Sequence, residues 1–270
     1  MRYESSIQQG AEDMSETPSV IINSVDRAMD ILLYIYNTGG EVSITSISQA
    51  LGIYKSTVYR TLATLENKGF VEQNPDNGRY TLGMRLYTMG LSIGDKLGLQ
   101  KLVKPYTRQL HEEFREAVNV SIIEKNPLDV YKSVIIWKEE GNQILRFNLE
   151  VGSRNDCHCA GVGKCLIAFG EDIDLSIYEE RGMTVYTDKT IRTLDELKRE
   201  LEKIRIQGYA VDDEEWEEGL TCVAAPILRR GVAVAAISVS GPTQRIRQAS
   251  VPKIVQRLKA VCNEIAKSLV

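Results

Sequence analysis

The sequence predicts an α+β protein built from a winged helix-turn-helix and a second domain in which helices flank an antiparallel sheet. Residues 22 to about 116 show helical periodicity with one short pair of strands, and a hairpin turn, Asn-Pro-Asp-Asn-Gly, lies at 74–78. From residue 118 onward, β-branched runs alternate with helical stretches. The chain has 270 residues, which is enough for two modest domains.

The composition is that of an ordinary globular protein, with 43% hydrophobic and 26% charged residues. No stretch approaches the roughly 20 apolar residues of a membrane span, and the N-terminus has no apolar signal core. Five cysteines, an odd number, do not form a disulfide framework in a chain of this size. We therefore expect a cytoplasmic protein that has no membrane partner. The net charge of −4 gives no argument for a nucleic-acid partner.

Changes in charge and in hydrophobic periodicity divide the chain into four segments. Residues 1–21 carry one basic side chain against four acidic ones and no apolar period, which predicts a disordered leader. Residues 22–83 form the predicted winged helix-turn-helix, and residues 84–104 a linker helix. The remaining residues, 105–270, form the sheet-containing domain. The join is placed at 99–105, between two helix-interrupting residues, Gly98 and Pro105.

Three predicted helices and a hairpin make up the first domain. Ser24 is in a position to cap the first helix, which ends at Gly39, and Ser43 opens the second. The third runs from about 55 to 68 and carries three apolar residues on one face: Val58, Leu62 and Leu65. A hairpin follows, with Gly78 supplying a positive φ. Two short helices joined by a glycine turn, then a hairpin, define a winged helix-turn-helix.

The exposed face of the third helix carries the residue types that contact DNA. Ser56 and Arg60 point away from the core, and Thr57 and Tyr59 flank them. Arginine offers a fork to guanine, and hydroxyls hold phosphates. The alternative, a merely solvated face, would show more Glu and Lys and would not be followed by a wing. The full predicted set of DNA-binding residues is Arg27, Ser43, Lys55, Ser56, Thr57, Tyr59, Arg60 and, on the wing, Arg79.

The second domain is predicted to contain six strands and three helices. The strands are expected at 118–124, 130–137, about 143–151, 209–213, 220–228 and 232–240. The helices are expected at about 160–169, at 194–206 after a Thr193/Glu196 capping box, and from Ser250 to the C-terminus.

Polar and sulfur-containing residues concentrate at two places in this domain. The first is Asp156-Cys157-His158-Cys159, just before a helix start whose free backbone N–H groups favour an anion. The second joins Asp212 and Cys222 with Ser238 and Ser240, which lie two apart on one strand and so face the same side.

The stretches SVDRAMDILLYI and SITSISQALGIYKSTVYRTLATLENKGFVEQNPDNGRYTLGMRL resemble the N-terminal domain of the IclR family of bacterial transcription regulators. EVGSRNDCHCAGVGKCLIAF, GYAVDDEEWEEGLTCVAAPI and VAVAAISVSGPTQRI resemble its effector-binding domain. The resemblance covers about residues 22–245. It implies a DNA-binding winged helix, a linker helix and a GAF-like effector-binding domain over 105–270. It also implies homodimers, often paired into tetramers, on double-stranded operator DNA.

The resemblance also implies an effector pocket. It would be lined by the backbone of Ala160, Gly161 and Leu220 and by the side chains of Asp212, Cys222, Ser238 and Ser240. Small organic acids, often aromatic, are the effectors that the family commonly binds. In the alternative, Ser238 and Ser240 are ordinary strand residues and Cys222 is a buried core thiol.

The chain departs from the family just before the predicted helix at 160. Members commonly show a Pro-hydrophobic-His pattern before a Thr-Ala-x-Gly-Lys helix start, whereas Asp156, Cys157, Cys159, Ala160 and Gly161 stand here. Zinc takes sets of three or four Cys and His ligands. A candidate zinc site would be formed by Cys157, His158, Cys159, Asp212 and Cys222, unless these thiols are simply buried.

Enzyme functions fit the sequence poorly. The run from Gly161 to Lys164 lacks the first glycine of a phosphate loop, where His158 stands, and Cys165 replaces the Ser or Thr. A Cys222–His158 nucleophile pair would lack a nucleophile turn. We therefore predict no enzymatic activity. The leading prediction is a repressor whose operator binding responds to an effector, expected to be a small organic acid; the alternative is a thiol- or metal-responsive sensor of the zinc type.

Overall fold

The computed structural model describes residues 21–126, 129–140 and 149–269, with the backbone alone for residues 94–97. The chain divides between Lys96 and Leu97 into two compact units. Of the predicted leader, all but Ile21 lies outside the described residues. Most of the strand predicted at 143–151 lies outside them as well.

The N-terminal unit is a winged helix-turn-helix, as predicted. It consists of α1 (Asn23–Thr38), α2 (Ile44–Leu51), α3 (Lys55–Asn67), β1 (Val71–Gln73), β2 (Tyr80–Leu82) and α4 (Met84–Leu97). The two strands pair antiparallel, and Val42 forms a further bridge to Tyr80. The buried residues Ile31, Ile47, Val58 and Leu62 join the first three helices into one core.

The starts of the first two helices differ in their capping. Ser43 caps α2 in a capping box: its hydroxyl accepts a hydrogen bond from the Ser46 backbone N–H at 3.0 Å. The prediction that Ser24 caps α1 is wrong. α1 begins at Asn23 with Ile22 at the cap position and no side-chain cap, so Ser24 already lies in the first turn.

The segment predicted as a single linker helix over 84–104 is divided in two. α4 ends at Leu97, Gly98 adopts φ +58°, and α5 (Leu99–Phe114) begins directly after it, with Pro105 inside. A left-handed glycine ends a helix without changing the residues on either side. Both flanks keep a helical period, so the sequence signals the break only through Gly98; the expectation that Pro105 also interrupts the helix is wrong, because Pro105 lies inside α5.

The described residues of the C-terminal unit form one six-stranded sheet. Its strands are β3 (Ala117–Glu124), β4 (Lys132–Glu139), β5 (Arg154–Asp156), β6 (Ala210–Asp213), β7 (Leu220–Arg229) and β8 (Val232–Pro242). The spatial order is β5-β4-β3-β8-β7-β6, and every neighbouring pair is antiparallel. The helices of this unit after α5 are α6 (Gly161–Ala168), α7 (Ile177–Arg181), α8 (Leu194–Gln207), α9 (Thr243–Gln248) and α10 (Val251–Ser268).

Each face of the sheet supports its own hydrophobic core. One core joins α5 and α10 to the sheet through residues such as Val103, Leu258 and Val239. The other joins α6 and α8 to the opposite face through residues such as Leu166, Leu201 and Ala224. Strand residues alternate between the faces, so Cys222, Ser238 and Ser240 lie on the α6 side. Within the described part of the chain, no helix is both long and apolar enough to cross a membrane.

Candidate functional site

The exposed face of α3 is arranged as the sequence predicted. Ser56 and Arg60 are exposed, Tyr59 is 58% exposed, and Thr57 is half-buried, while the core side is fully buried. Tyr54, at the N-cap of α3, is 86% exposed, and sequence reasoning missed it. An aromatic ring at the tip of a recognition helix has no packing role within the N-terminal unit. The first turn of α3 therefore presents a surface of aromatic, hydroxyl and cationic groups to solvent.

The other predicted DNA-binding residues of this unit lie at three separate places. Lys55 is exposed at the start of α3, and Arg27 is exposed on α1. Ser43 is half-buried, and its hydroxyl is engaged in the α2 cap, where it also donates to the Ser46 hydroxyl at 3.2 Å. That these residues contact DNA stays a prediction.

The wing between β1 and β2 is tied to the body of the unit by one carboxylate. Glu41 accepts hydrogen bonds from the side-chain amides of Asn74 and Asn77, both at 2.6 Å. The hydrogen bond from Asn74, followed by that from Asn77, lowers the pKa of Glu41. The Asn77 side chain in turn accepts from the Arg79 backbone N–H at 2.9 Å. These bonds fix the turn, and Arg79 is exposed at its end.

In the C-terminal unit, one cavity gathers all of the predicted effector-binding residues. Its lining includes Ala160, Gly161, Asp212, Leu220, Cys222, Ser238 and Ser240. The cavity lies between the N-terminus of α6 and the sheet, and its volume is about 30 Å³. That volume is enough for about two water molecules.

Strand register places the polar lining in rows across the sheet. Asp212 on β6 pairs with Cys222 on β7, which pairs with Ser240 on β8. Two residues along, Ser238 on β8 pairs with Asn119 on β3. The Ser240 hydroxyl donates to the Ser238 hydroxyl at 3.2 Å. The floor of the cavity is therefore a polar strip that runs across four neighbouring strands.

The N-terminus of α6 forms the opposite wall. A Cβ atom on Gly161 would lie 3.3 Å from both the carbonyl oxygen and Sγ of Cys222, so glycine lets the helix start approach the sheet closely. The first N–H groups of a helix have no intrahelical partners, and the helix dipole adds positive potential there. This wall is suited to an anion.

Burial shifts the acid–base chemistry of the cavity. Burial, followed by the nearby charge of Glu215, raises the pKa of Asp212 to about 7, although Lys164 opposes the shift. Asp212 Oδ1 accepts a hydrogen bond from the Glu215 backbone N–H at 2.8 Å. Burial also raises the pKa of Cys222 to about 11, which keeps its thiol protonated.

A buried ion pair lies next to Asp212, and sequence reasoning missed it. The Lys164 side chain is fully buried; its ammonium pairs with Glu215 and donates to the Val211 carbonyl at 2.8 Å. A buried charge is stable only when it is paired and hydrogen-bonded. Lys164 is thus a structural tie between α6 and the segment that follows β6.

Other lining residues also escaped the sequence reasoning. Asn119, Ser121, Ile135, Asn155 and Trp216 all line the cavity. The signal for two of them was present: in NVSI, the polar residues 119 and 121 alternate with apolar ones on a buried strand. Periodicity shows that such residues share a face, but not which face bounds a cavity.

The structure does not assemble the predicted zinc ligands, Cys157, His158, Cys159, Asp212 and Cys222. Among the residues that it describes, no three His, Cys, Asp or Glu side chains form a group that could hold a metal ion. His158 Nε2 lies 3.0 Å from the Thr184 carbonyl oxygen, and burial lowers its pKa. Burial raises the pKa values of Cys157 and Cys159. Zinc binding stays a prediction without a ligand set in this part of the chain.

A winged helix with an exposed recognition face, joined to a sheet domain with a buried polar cavity, defines a transcription regulator of the DNA-binding, two-domain class. Comparison with known proteins agrees. Residues 24–75 match the model of the IclR helix-turn-helix domain, and residues 92–267 match that of the bacterial transcriptional regulator IclR C-terminal domain. The chain belongs to the IclR family.

Relatives of this chain are transcription regulators and not enzymes. The regulator XynR of Escherichia coli K12 is 32% identical over 251 residues, which cover 92% of this chain and 98% of that protein. The transcriptional repressor IclR of the same organism is 31% identical and covers 83% of this chain and 82% of its own length. The crystal structure of Thermotoga maritima IclR has a TM-score of 0.70 at 30% identity, covering 92% of this chain and 99% of that one.

Proposed function

We propose that a small organic acid binds in the cavity beneath α6 and controls operator binding by the N-terminal unit. One observation carries this proposal: all seven residues expected from the family resemblance to bind an effector line the same cavity. They come from one helix start and three strands spread over about 80 residues of sequence. A chance set of strand residues would be divided between the two faces of the sheet.

The chemistry of the cavity favours an acid held by neutral donors. No Lys or Arg side chain is among the described residues that line it, so the available donors are neutral: the α6 amides, the serine hydroxyls and the side-chain N–H groups of the lining Asn and Trp residues. Donors of this kind bind a carboxylate without a counter-ion. Asp212 would repel the anion when ionised, but its pKa of about 7 allows it to be protonated and to donate a hydrogen bond near neutral pH.

The size of the cavity provides a route from binding to regulation. The cavity volume in this structure is about 30 Å³, so we propose that the walls lie farther apart when an organic acid is bound. An effector shifts an equilibrium only by its difference in affinity between two arrangements. The bound effector therefore favours a wider arrangement of α6 and the segment after β6.

On the DNA side, we propose that the chain acts as a cytoplasmic repressor in the form of a homodimer or a tetramer. The relative IclR of Escherichia coli K12 is named a transcriptional repressor. Five apolar residues are exposed at helical spacing along the start and face of α1: Ile22, Val25, Met29, Leu33 and Tyr36. An apolar stripe of this length is typical of a protein–protein interface. A twofold dimer would present two recognition helices to two half-sites of an operator.

Two matched cysteine variants test the effector site. Cys222→Ser changes a residue of the cavity, whereas Cys262→Ser makes the same change in the core on the other side of the sheet. A panel of small carboxylates, screened by the rise in Tm, supplies the ligand. We expect both variants to keep DNA binding, and only Cys222→Ser to weaken the response of DNA binding to the ligand. An equal response in the two variants would contradict the assignment of the cavity.

A further inference from the structure

One carboxylate at the base of the wing binds two side chains of the wing at once. Glu41 comes just before Val42, which forms the bridge to Tyr80 on β2, and it is half-buried. Its Oε1 accepts the hydrogen bond from the Asn74 amide, and its Oε2 accepts the one from the Asn77 amide, both at 2.6 Å. Both oxygens of the carboxylate are therefore used by the wing.

The two amides cannot turn their oxygens toward Glu41 instead. Asn74 Oδ1 accepts the Asp76 backbone N–H at 2.9 Å, and Asn77 Oδ1 accepts the Arg79 backbone N–H at the same distance. Both side chains therefore present their NH2 groups to Glu41. Only a side chain with two acceptor oxygens can pair with both of them, so a carboxylate fits here and an amide of the same length does not.

The strands of the wing are too short to fix its direction. β1 and β2 have three residues each, and a two-stranded hairpin is at best marginally stable by itself. Two backbone hydrogen bonds close the turn: Asn74 N–H donates to the Arg79 carbonyl at 2.7 Å, and Gly78 N–H donates to the Asn74 carbonyl at 2.8 Å. Those bonds shape the turn, whereas Glu41 ties it to the segment that precedes α2.

We propose that Glu41 is a positioning residue for DNA binding, which holds the wing so that Arg79 meets the DNA. The inference rests on the proposed binding of operator DNA by the N-terminal unit, but it does not depend on the effector cavity. Phosphates repel a carboxylate, so an acidic side chain beside a DNA-contacting loop lowers affinity unless it organises the contact. A wing that is already ordered loses less conformational freedom when DNA binds.

The sign of the effect separates positioning from simple repulsion. Glu41→Gln removes a negative charge and also deprives one wing amide of its acceptor. Repulsion alone predicts a gain in operator affinity, whereas positioning predicts a loss, which we expect to be about fivefold. Asp76→Asn is the matched control. Asp76 is exposed in the same turn, its carboxylate has no partner among the described residues, and its removal should raise affinity slightly.

Two further measurements connect the loss to Arg79. Each phosphate contact contributes about 0.9 to the slope of log affinity against log salt concentration. Glu41→Gln should reduce that slope by as much as Arg79→Ala does, and it should weaken binding no further when Arg79→Ala is already present. Fluorescence anisotropy on the full chain gives the affinities, with a duplex that the parent protein selects from a random library. Circular dichroism verifies that each variant is folded.

A second substitution should restore the wing. In Glu41→Gln combined with Asn77→Asp, the introduced amide donates to the new carboxylate at position 77, and its oxygen still accepts from Asn74. The net charge equals that of the parent. We expect this double variant to recover most of the lost affinity. Asn77→Asp alone places two carboxylates against each other and should weaken binding at least as much as Glu41→Gln does.

Each outcome supports the inference or overturns it. If Glu41→Gln binds the duplex as tightly as the parent or more tightly, Glu41 does not position the wing. If the loss occurs but the double variant does not reverse it, the loss does not come from these hydrogen bonds. If Arg79→Ala binds like the parent, the wing does not act through Arg79, and the inference fails while operator binding stands. If the parent protein selects no duplex, the proposed operator binding is overturned as well.

Discussion

The two units of this protein place the polar residues proposed to be functional in opposite environments. In the N-terminal unit, Ser56, Tyr59 and Arg60 are exposed on a helix whose other face forms the core. In the C-terminal unit, Asp212, Ser238 and Ser240 are buried on the strands that form the core. Substitution of an exposed residue usually changes stability little, whereas substitution of a buried residue also changes packing. We therefore expect DNA recognition to be separable from stability, and effector sensing to be coupled to it.

The largest expected effect is a loss of stability in the C-terminal unit, caused by Gly163→Ala in α6. A Cβ atom on Gly163 would lie 2.4 Å from Cys157 Cα, so Gly163→Ala forces the backbone of α6 away from the preceding segment. We expect the C-terminal unit to lose about 3 kcal/mol of unfolding free energy and to lose effector binding with it. Both tryptophans, Trp137 and Trp216, are in this unit, so the denaturant dependence of tryptophan fluorescence measures its stability alone.

The control for Gly163→Ala is a glycine with open space around it. A Cβ on Gly90, in α4 of the N-terminal unit, would meet nothing within 4 Å. Gly90→Ala should leave tryptophan-monitored unfolding unchanged and should stabilise the helix by about 0.5–1 kcal/mol. A Gly163→Ala protein as stable as the parent would show that α6 is not held closely against the segment that precedes it.

This contrast also explains how much of the molecule could be predicted from the sequence. The face of α3 follows from a period of 3.6 residues, so the apolar positions Val58 and Leu62 are enough to identify Arg60 as exposed. The polar residues Asp212, Cys222, Ser238 and Ser240 could be grouped from the sequence, but placing them opposite the start of α6 required the family resemblance, because strand order decides which residues pair. Among the described residues, the predicted zinc ligands form no metal-binding group, because closeness in sequence does not direct side chains to a common point. Periodicity does not reveal the break at Gly98, because both flanks remain helical.

A second prediction concerns the pH dependence of stability. The pKa of Asp212 is about 7 in the folded protein and 3.8 in the unfolded chain, so the folded state binds the proton more tightly. The resulting stability is fully present below pH 3.8 and is lost as the pH rises through about 7. Between about pH 5 and pH 7 the loss is about 2 kcal/mol. Asp212→Asn, which cannot ionise, should lack this loss, as measured by denaturant unfolding at each pH.

Asp213, the next residue, provides a control because its contribution to stability changes with pH in the opposite direction. Burial pushes the pKa of Asp213 up, but hydrogen bonds from Arg247 and Thr221 outweigh it, and the pKa lies below its usual value. Stability from Asp213 is present at neutral pH and is lost as the pH falls below its usual range. Asp213→Asn should therefore keep the parent's loss between about pH 5 and pH 7. If Asp212→Asn showed that same loss, burial of an ionisable Asp212 would not be its source.

The smallest expected change in free energy concerns DNA recognition by the exposed face of α3. Arg60→Ala should reduce the preference for a selected operator duplex over random DNA by at least about tenfold, equivalent to about 1.4 kcal/mol. Lys68→Ala removes the same charge from the exposed residue after α3 and should leave that preference unchanged, since a charge that contacts only phosphates carries no sequence information. Both proteins should unfold within about 0.5 kcal/mol of the parent, because neither residue is part of the core.

Fluorescence anisotropy at fixed salt gives the two affinities, and circular dichroism gives the stability. An Arg60→Ala protein that still discriminates would show that the exposed face of α3 does not read the sequence through Arg60. One that unfolds easily would show that DNA recognition is coupled to stability in this unit.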